Sequence, residues 1–261
     1  MYLTQSIVRQ ALLNVQQFEH ELNDLFSSHG YDLRDNLGRR NALCSQAQEK
    51  ELAAALRQKF KSVIQDGSPG KPDIFIGDIN KELECKLTSG NRSSSVSYSL
   101  QTDWATLQNK GSLDYLYVLC DENFENFCAL YVKDLTVEDF YPPANGSRGK
   151  ARMNKNVAMK KATPLWGNFT TQNETNLNNY KSRVWDLVEE RSSKLKDIKG
   201  KFAEYINDNT EFVEKALEAK KKIDESYLKK IDVIFSKINY WLEADDRYTF
   251  ILEPLTKEEN V

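Results

Sequence analysis

The chain has 261 residues, 40% of them hydrophobic and 11% aromatic, and a formal net charge of −3. This length and composition exclude a disordered chain and predict one large domain or a core with a smaller appended part. No stretch approaches the roughly 20 apolar residues of a membrane span. The first residues lack a basic run followed by an apolar one, so no secretory signal is expected.

Cysteine and histidine usage limits the compartment and the metal chemistry. The four cysteines are scattered, without a CxxC pair or zinc-ligand spacing, and there are only two histidines. We therefore expect no His–Cys metal cluster, and a reduced, cytoplasmic protein.

The N-terminal quarter predicts two helices joined by loops. Apolar residues recur at helical spacing in two segments, and polar, Gly- and Pro-containing stretches separate them. The elements expected in chain order are a helix over 3–27, a loop over 31–43, a helix over 45–61 and a loop over 66–72.

A β-hairpin is predicted directly after the second loop. Residues 73–76 are typical of a strand, residues 77–80 of a turn, and residues 82–87 alternate polar and apolar side chains as a half-buried strand does. Side chains of a strand point alternately to its two faces. The alternation therefore predicts one charged face, formed by Glu82, Glu84 and Lys86.

The hairpin is expected to bring two carboxylates and a lysine together. With the turn centred near Ile79, Asp73 is expected opposite Cys85, one residue from both Glu84 and Lys86. Cross-strand neighbours lie about 4.5–5.5 Å apart at Cβ. A hard cation such as Mg²⁺ prefers carboxylate oxygens and water, and it activates a bound water as a nucleophile. The alternative is a solvated hairpin face with an incidental ion pair.

The elements that follow extend the sheet. A polar segment over 88–95 is left open as a linker or a functional loop beside the hairpin. Gln101 lies at the start of the next helix and is expected to be a surface polar residue, with approach to the charged hairpin as the alternative. The remaining expected elements are a helix over 99–110 and buried strands over 115–120 and 127–132.

Asp73, Glu84 and Lys86 resemble the PD-(D/E)xK motif of the restriction-endonuclease-like nuclease superfamily, and the segment from about residue 45 to 133 follows that core more loosely. Acid-x-Lys triplets occur three times, but only this one has apolar alternation and follows the only Pro-Asp pair. The resemblance implies an α/β fold: a mixed β-sheet core flanked by helices, here with a largely helical C-terminal part. It also implies a phosphodiesterase in which Asp73 and Glu84 bind Mg²⁺.

Glu49 is the candidate third carboxylate. It precedes Leu52 by three residues and Leu56 by seven, so it is expected on the core side of its helix, where an unpaired charge is costly. Members of the superfamily often carry an acid on the helix before the motif, so the resemblance makes Glu49 a catalytic candidate. Glu51 is the second choice, and a helix-rim acid reaching solvent is the alternative.

Lys86 is interpreted as a positioning group instead of a general base. Two nearby carboxylates stabilise its ammonium form and raise its pKa. A protonated lysine can still orient the attacking water and stabilise charge in the transition state.

A basic segment lies between Asp139 and Glu174, where no acid occurs. It carries +6, which leaves −9 on the remainder, a distribution that indicates a local DNA-binding surface on an acidic protein. Arg and Asn suit base edges, and Lys suits phosphates. The predicted recognition residues are Arg148, Lys150, Arg152, Asn154 and Lys155. A solvated cationic loop is the alternative.

Three functional segments are predicted: a nuclease core over 1–140, a recognition segment over 141–175 and a helical region over 176–261 for dimerisation or DNA clasping. Within the last, a heptad spacing is compatible with packing inside a helical bundle or with an intermolecular coiled coil. The heptad residues are Tyr227, Ile231, Ile234, Ile238 and Trp241.

The first functional hypothesis is a type II restriction endonuclease, a site-specific, Mg²⁺-dependent nuclease of double-stranded DNA. Two active sites are needed for two strands, so a homodimer is expected, and a cognate DNA methyltransferase is expected as a separate protein. A repair, junction-resolving or RNA-directed nuclease of the same superfamily is the second hypothesis. A nonenzymatic DNA-binding or assembly protein is the third.

Overall fold

The chain folds as a mixed α/β protein. A computed structural model describes residues 1–68, 71–90, 98–144, 149–203, 210–243 and 248–255; within them, side chains are described outside 172–173, 201–213 and 238–243. The chain divides into two units, Met1–Phe169 with Phe250–Val261, and Thr170–Thr249. In the described residues no helix has the length and apolar content needed to cross a membrane.

Two long helices open the first unit, α1 (Gln5–Ser28) and α2 (Leu37–Arg57). The loop predicted over 31–43 is wrong for most of its length, because α2 begins at residue 37. The Asn36 side chain accepts a hydrogen bond from the backbone of Arg39 and caps the helix. Arg40 is buried, with Nη2 2.6 Å from a Glu19 carboxylate oxygen on α1, so a charged residue is accommodated in the helix interface.

A mixed β-sheet forms the centre of this unit. Its first strands are β1 (Val63–Gln65), β2 (Ile74–Ile76) and β3 (Lys81–Ser89). After β4 (Gln101–Asp103) and helix α3 (Trp104–Lys110) come β5 (Leu113–Cys120) and β6 (Asn126–Leu135). The sheet order is β1-β2-β3-β5-β6, and the β3–β5 pair is parallel while the others are antiparallel.

The two faces of the sheet have different coverings. Alternate residues of β3 and β5, such as Leu83 and Leu116, join a core cluster with apolar residues of α1 and α2. Tyr115 and Tyr117 project from the other face and stack with ring centroids 5.4 Å apart. The charged face of the hairpin therefore lies on the tyrosine side of the sheet.

The helix predicted over 99–110 is wrong in its first part, where β4 forms instead. Asp103 ends the strand and caps α3, accepting a hydrogen bond from the backbone of Thr106. β4 pairs with β8 (Lys150–Met153), which also pairs with β7 (Phe140–Tyr141). This pairing joins distant parts of the chain. The spacing of residues around Gln101 therefore does not predict that β4 is a strand.

The rest of the first unit completes the central sheet. Helix α4 (Lys155–Ala158) leads to β9 (Ala162–Trp166), which pairs with β6. Gly167 then has φ +60°, and a Cβ there would lie 2.5 Å from the Ile251 carbonyl oxygen, so only glycine fits. Strand β12 (Glu253–Pro254) adds to β6, while β10 (Asn168–Thr171) and β11 (Tyr248–Ile251) form a separate two-stranded sheet where the two units join in sequence.

The second unit is a helical hairpin of α5 (Gln172–Ala203) and α6 (Thr210–Glu243). Tyr227, Ile231 and Ile234 of the predicted heptad pack against α5, so this part of the seam lies within one chain. Side chains of Ile238 and Trp241 lie outside the described residues. The three segments predicted from the sequence remain a prediction; their boundaries fall within β7 and within α5.

Candidate active site

The β2–β3 hairpin places the predicted carboxylates side by side. Ile74 pairs with Leu83, and continuing this register places Asp73 opposite Glu84, one residue away from the expected partner, Cys85. The shift arises in the connection, a short 3-10 helix that ends at Asn80 in the left-handed conformation. The predicted meeting of the charged groups is therefore present in a different register.

Asp73 is held in place by a backbone hydrogen bond. The amide nitrogen of Cys85 donates to Oδ2 of Asp73 over 2.7 Å. Because Cys85 points into the core, this bond connects the carboxylate to a buried part of β3. Asp73 is thus oriented before any ligand binds.

Lys86 lies between the two carboxylates. Its Nζ is 2.9 Å from Oε2 of Glu84 and 3.5 Å from Oδ2 of Asp73. Burial alone would lower the pKa of Lys86, but the carboxylates of Glu84 and Asp73 outweigh burial and raise it above its usual value. The side chain is therefore a charged ammonium group in this arrangement.

Glu84 is the most buried of the acidic groups at the site, at 8% relative exposure. Its pKa is raised by burial, opposed by Lys86 and reinforced by Asp73. In the parallel pairing with β5, Glu84 lies beside Tyr115 and Lys86 beside Tyr117. The tyrosine rings therefore border the charged groups on the sheet.

Glu49 reaches the same site from α2. Burial, followed by the charge of Asp73, raises its pKa to about 7, while Lys86 acts in the opposite direction. Glu51 is oriented differently, because Nδ2 of Asn14 on α1 donates to it over 2.7 Å. Of the two acids considered on this helix, Glu49 is thus the one in electrostatic contact with Asp73 and Glu84.

The acids form a donor set suited to a hard cation. Mg²⁺ binds through one or two carboxylates and completes its shell with water and phosphate oxygens, and Asp73 with Glu84 meets this need. Among the described side chains, no three His, Cys, Asp or Glu residues are grouped closely enough to hold a metal as they stand. In this structure the Lys86 ammonium is the cation between the two carboxylates.

The third charged residue of the β3 face is engaged elsewhere. Oε1 of Glu82 lies 2.7 Å from Nζ of Lys110 on α3. This ion pair uses the same strand face as the candidate site but a separate lysine. Glu82 is therefore not part of the Asp73–Glu84–Lys86 group.

Strand β8 presents two of the predicted recognition residues to solvent. Lys150 and Arg152 are exposed, whereas Ala151 and Met153, which alternate with them, are buried. Gln101 on β4 pairs with Arg152. The exposed face of this small sheet therefore carries two basic residues and Gln101, together with Asp103, whose carboxylate lies 4.0 Å from Nζ of Lys150.

A cleft joins this basic face to the hairpin. A cavity of about 190 Å³ is lined by residues that include Lys86, Gln101 and Lys150. A second cavity, of about 630 Å³, is lined by Gln101, Lys150, Arg152 and Tyr141 among others. Because the two cavities share Gln101 and Lys150, they adjoin and connect the candidate catalytic lysine with the basic strand.

The other predicted recognition residues have different surroundings. Arg148 lies outside the described residues. The side-chain oxygen of Asn154 is buried, and its backbone nitrogen donates to the Asp139 carbonyl. Nζ of Lys155 donates to the Tyr98 carbonyl over 3.0 Å, and burial lowers its pKa. Asn154 and Lys155 therefore contact the protein interior, and their assignment to DNA recognition stays a prediction.

Tyr141 was not anticipated from the sequence, and the position of Gln101 in the cleft corresponds to the alternative considered for it, not to the favoured surface position. Tyr141 lies on β7, opposite Arg152, and is more than half exposed. Both residues enter the cleft through strand pairings between distant segments. An exposed aromatic residue beside a basic strand is the only local signal that could have indicated Tyr141.

Comparison with protein-family models gives no match, and no curated protein matches the chain. The likeness to the PD-(D/E)xK superfamily accordingly rests on the residues themselves and on their arrangement in the hairpin.

Proposed function

We propose that the protein is a site-specific, Mg²⁺-dependent endonuclease that hydrolyses phosphodiester bonds in double-stranded DNA, a type II restriction enzyme. The observation that carries this proposal is that Asp73 and Glu84 converge on Lys86. Lys86 lines one end of a cleft that has Lys150 and Arg152 farther along it. A carboxylate-lined cation site next to a basic surface suits a phosphodiester substrate.

In the proposed mechanism, each residue of the site has a separate role. Asp73 and Glu84 hold Mg²⁺, which when bound activates water and neutralises charge on the phosphate. Lys86 donates hydrogen bonds that orient the attacking water and stabilise the transition state. Glu49, with its pKa near neutrality, assists as a proton acceptor or as an additional metal ligand.

Lys150 and Arg152 are assigned to DNA binding. Both are exposed on one strand and line the cleft with Gln101. Arg152 offers the fork of donors that reads the O6 and N7 atoms of guanine, and Lys150, which lines both cavities, suits a phosphate. The proposed recognition surface thus begins next to the catalytic lysine.

The proposed function also implies an oligomeric state, a partner enzyme and a cellular compartment. Cleavage of both strands at a symmetric site calls for two active sites, so the proposed active form is a homodimer. A separate cognate DNA methyltransferase would protect host DNA. A cytoplasmic location is supported by four cysteines that are all buried and free.

Incubation of the purified protein with plasmid DNA tests the proposal. With Mg²⁺ we expect discrete fragments of reproducible size, and with EDTA an intact plasmid. Cutting restricted to branched, damaged or RNA substrates would replace restriction by the second hypothesis. Binding of DNA without cleavage of any of these substrates, in Mg²⁺ or Mn²⁺, would support the nonenzymatic alternative.

A further inference from the structure

The helical hairpin of the second unit has an apolar side in addition to its internal seam. The seam consists of residues that pack between the two helices: Tyr180, Val184 and Leu187 on α5, and Ile223, Tyr227, Ile231 and Ile234 on α6. Arg191 pairs with Asp224 and Tyr227 with Glu190, so the helices run in opposite directions.

The residues that directly follow the seam positions share one side of the hairpin. Each residue along a helix turns by about 100°. In an antiparallel pair, this rotation moves the following residue of both helices to the same side. Four large apolar residues occupy such positions and form what we call the apolar side: Trp185, Val188, Leu228 and Phe235.

These four side chains are exposed in the single chain. Trp185 is 68%, Leu228 59% and Phe235 51% exposed, and Val188 is also exposed. Single exposed apolar residues are common, but a group on one side of two helices marks an interaction surface.

The opposite side of the hairpin has a different composition. Residues that directly precede the seam positions lie there, and they are mostly charged or polar. They are Asn179, Arg183, Asp186, Lys222, Ser226, Lys230 and Val233. The asymmetry shows that exposure of large apolar groups is confined largely to one side and is not a general property of these helices.

Three charged residues directly follow seam positions: Asp224, which pairs with Arg191 inside the hairpin, and Lys181 and Asp232, which have opposite charges. Lys181 follows Tyr180 on α5, and Asp232 follows Ile231 on α6. A two-fold axis parallel to the helices would place α5 of one copy against α6 of the other, antiparallel and at matching heights. Lys181 would then face Asp232 of the partner subunit, twice by symmetry.

We propose that the apolar side binds a second copy of this chain and forms an antiparallel four-helix bundle across a two-fold axis. Trp185 and Phe235 are the anchors, and the Lys181–Asp232 pairs set the orientation. A buried aromatic side chain covers about 150–250 Å². Trp185 and Phe235 still expose 68% and 51% of their surface. With a leucine and a valine per copy, they therefore supply a part of the about 800 Å² per partner in a standard interface.

This proposal deepens the proposed function, because such a dimer supplies the second active site, but it rests on the surface of the hairpin and not on nuclease activity. Its test therefore uses the oligomeric state of the full chain in EDTA. A monomer that cuts DNA would contradict the bundle alone, and a dimer that cuts no DNA would contradict the nuclease alone.

Sedimentation equilibrium over a range of micromolar concentrations measures the dimer. We expect a dimer for the wild-type chain, and a dissociation constant raised about 30-fold or more by Trp185→Glu or Phe235→Glu, as for central interface residues. Val233→Glu is the matched control, since Val233 is 57% exposed on the opposite side. A monomeric wild-type chain, or equal effects of all three changes, would overturn the proposal.

A charge exchange separates the two-fold bundle from other modes of association. Lys181→Glu and Asp232→Lys should each weaken the dimer by about fivefold, and the double variant should restore it. Circular dichroism of each variant establishes that the helices are intact. Dimerisation without this restoration would overturn the proposed orientation.

Discussion

The ammonium of Lys86 lies 2.9 Å from the Glu84 carboxylate, two residues earlier on the same face of β3. The same ammonium lies 3.5 Å from Asp73 on the neighbouring side of the hairpin. One lysine therefore balances two carboxylates whose mutual repulsion would otherwise be unopposed. A divalent cation would neutralise the two carboxylates more strongly than the ammonium does. The stabilisation of the fold by Mg²⁺ should therefore depend on whether Lys86 is present.

Replacement of Lys86 by Met should make stability more dependent on Mg²⁺. Without the ammonium, Asp73 and Glu84 repel each other, and the melting temperature in EDTA should fall. Mg²⁺ should then raise it by more than in the wild type. Lys110→Met is the control, because Lys110 pairs with Glu82 on the same strand face. Similar Mg²⁺ responses in both variants would mean that the metal does not bind at the Lys86 carboxylates.

Replacement of Asp73 by Asn should abolish cleavage while preserving the fold. Asn retains an oxygen that can accept from the Cys85 amide but loses the charge that holds Mg²⁺. We expect at least about a 100-fold loss of cleavage rate, with DNA affinity in Ca²⁺ within a few-fold of wild type. Asp66→Asn, which alters a half-buried acid of the preceding loop that accepts a hydrogen bond from the Ser68 backbone, is the control. Comparable loss of cleavage in both variants would contradict the role of Asp73.

Neutralising Lys150 and Arg152 together should weaken DNA binding and reduce its dependence on salt. Each contact to a phosphate contributes about 0.9 to the slope of log K against log salt concentration. The change to Gln at both positions should thus reduce the slope by up to about 1.8, measured by fluorescence anisotropy. The double change of Lys221 and Lys222 to Gln matches the net charge on α6. Equal changes of slope would remove β8 from the proposed interface.

Replacement of Glu49 by Gln should stabilise the protein increasingly as pH rises. The pKa of Glu49 is about 7 in the fold, above its usual value of about 4.3. The folded state therefore keeps a proton that the unfolded state loses, and wild-type stability falls between these two pH values. The gap in free energy of unfolding between variant and wild type should widen from pH 4.5 to pH 7 in EDTA.

Glu51→Gln is the matched substitution on the same helix, because the Glu51 carboxylate accepts a hydrogen bond from Asn14. A constant gap for Glu49→Gln in urea denaturation would mean that its carboxyl is neither buried nor held near Asp73 and Glu84.

Local periodicity alone determined the elements with a continuous pattern. The alternation in β3 correctly separated the charged residues Glu84 and Lys86 from the buried Leu83 and Cys85. The helical spacing around Glu49 placed it on the side of α2 that approaches the acids of the hairpin. Such periodicity can be recognised in the sequence because it depends only on residues a few positions apart.

Contacts between distant parts of the chain determined features that the local sequence pattern did not predict. The register of Ile74 with Leu83 set the neighbour of Asp73, and the early start of α2 is supported by the buried pair of Arg40 with Glu19. Propensity is overruled when long-range contacts contribute more free energy than a local preference.

The cleft shows most clearly which features follow from local sequence and which follow from tertiary contacts. The sequence by itself determined that Lys150 and Arg152 belong to an acid-free basic segment and that Lys86 stands in an alternating strand. Only the pairing of β4 with β8 brought Gln101 beside Arg152 and joined the two cavities. Strand pairing between distant segments depends on backbone hydrogen bonds and on the burial of residues such as Thr102 and Ala151, which the spacing of charges along the chain does not encode.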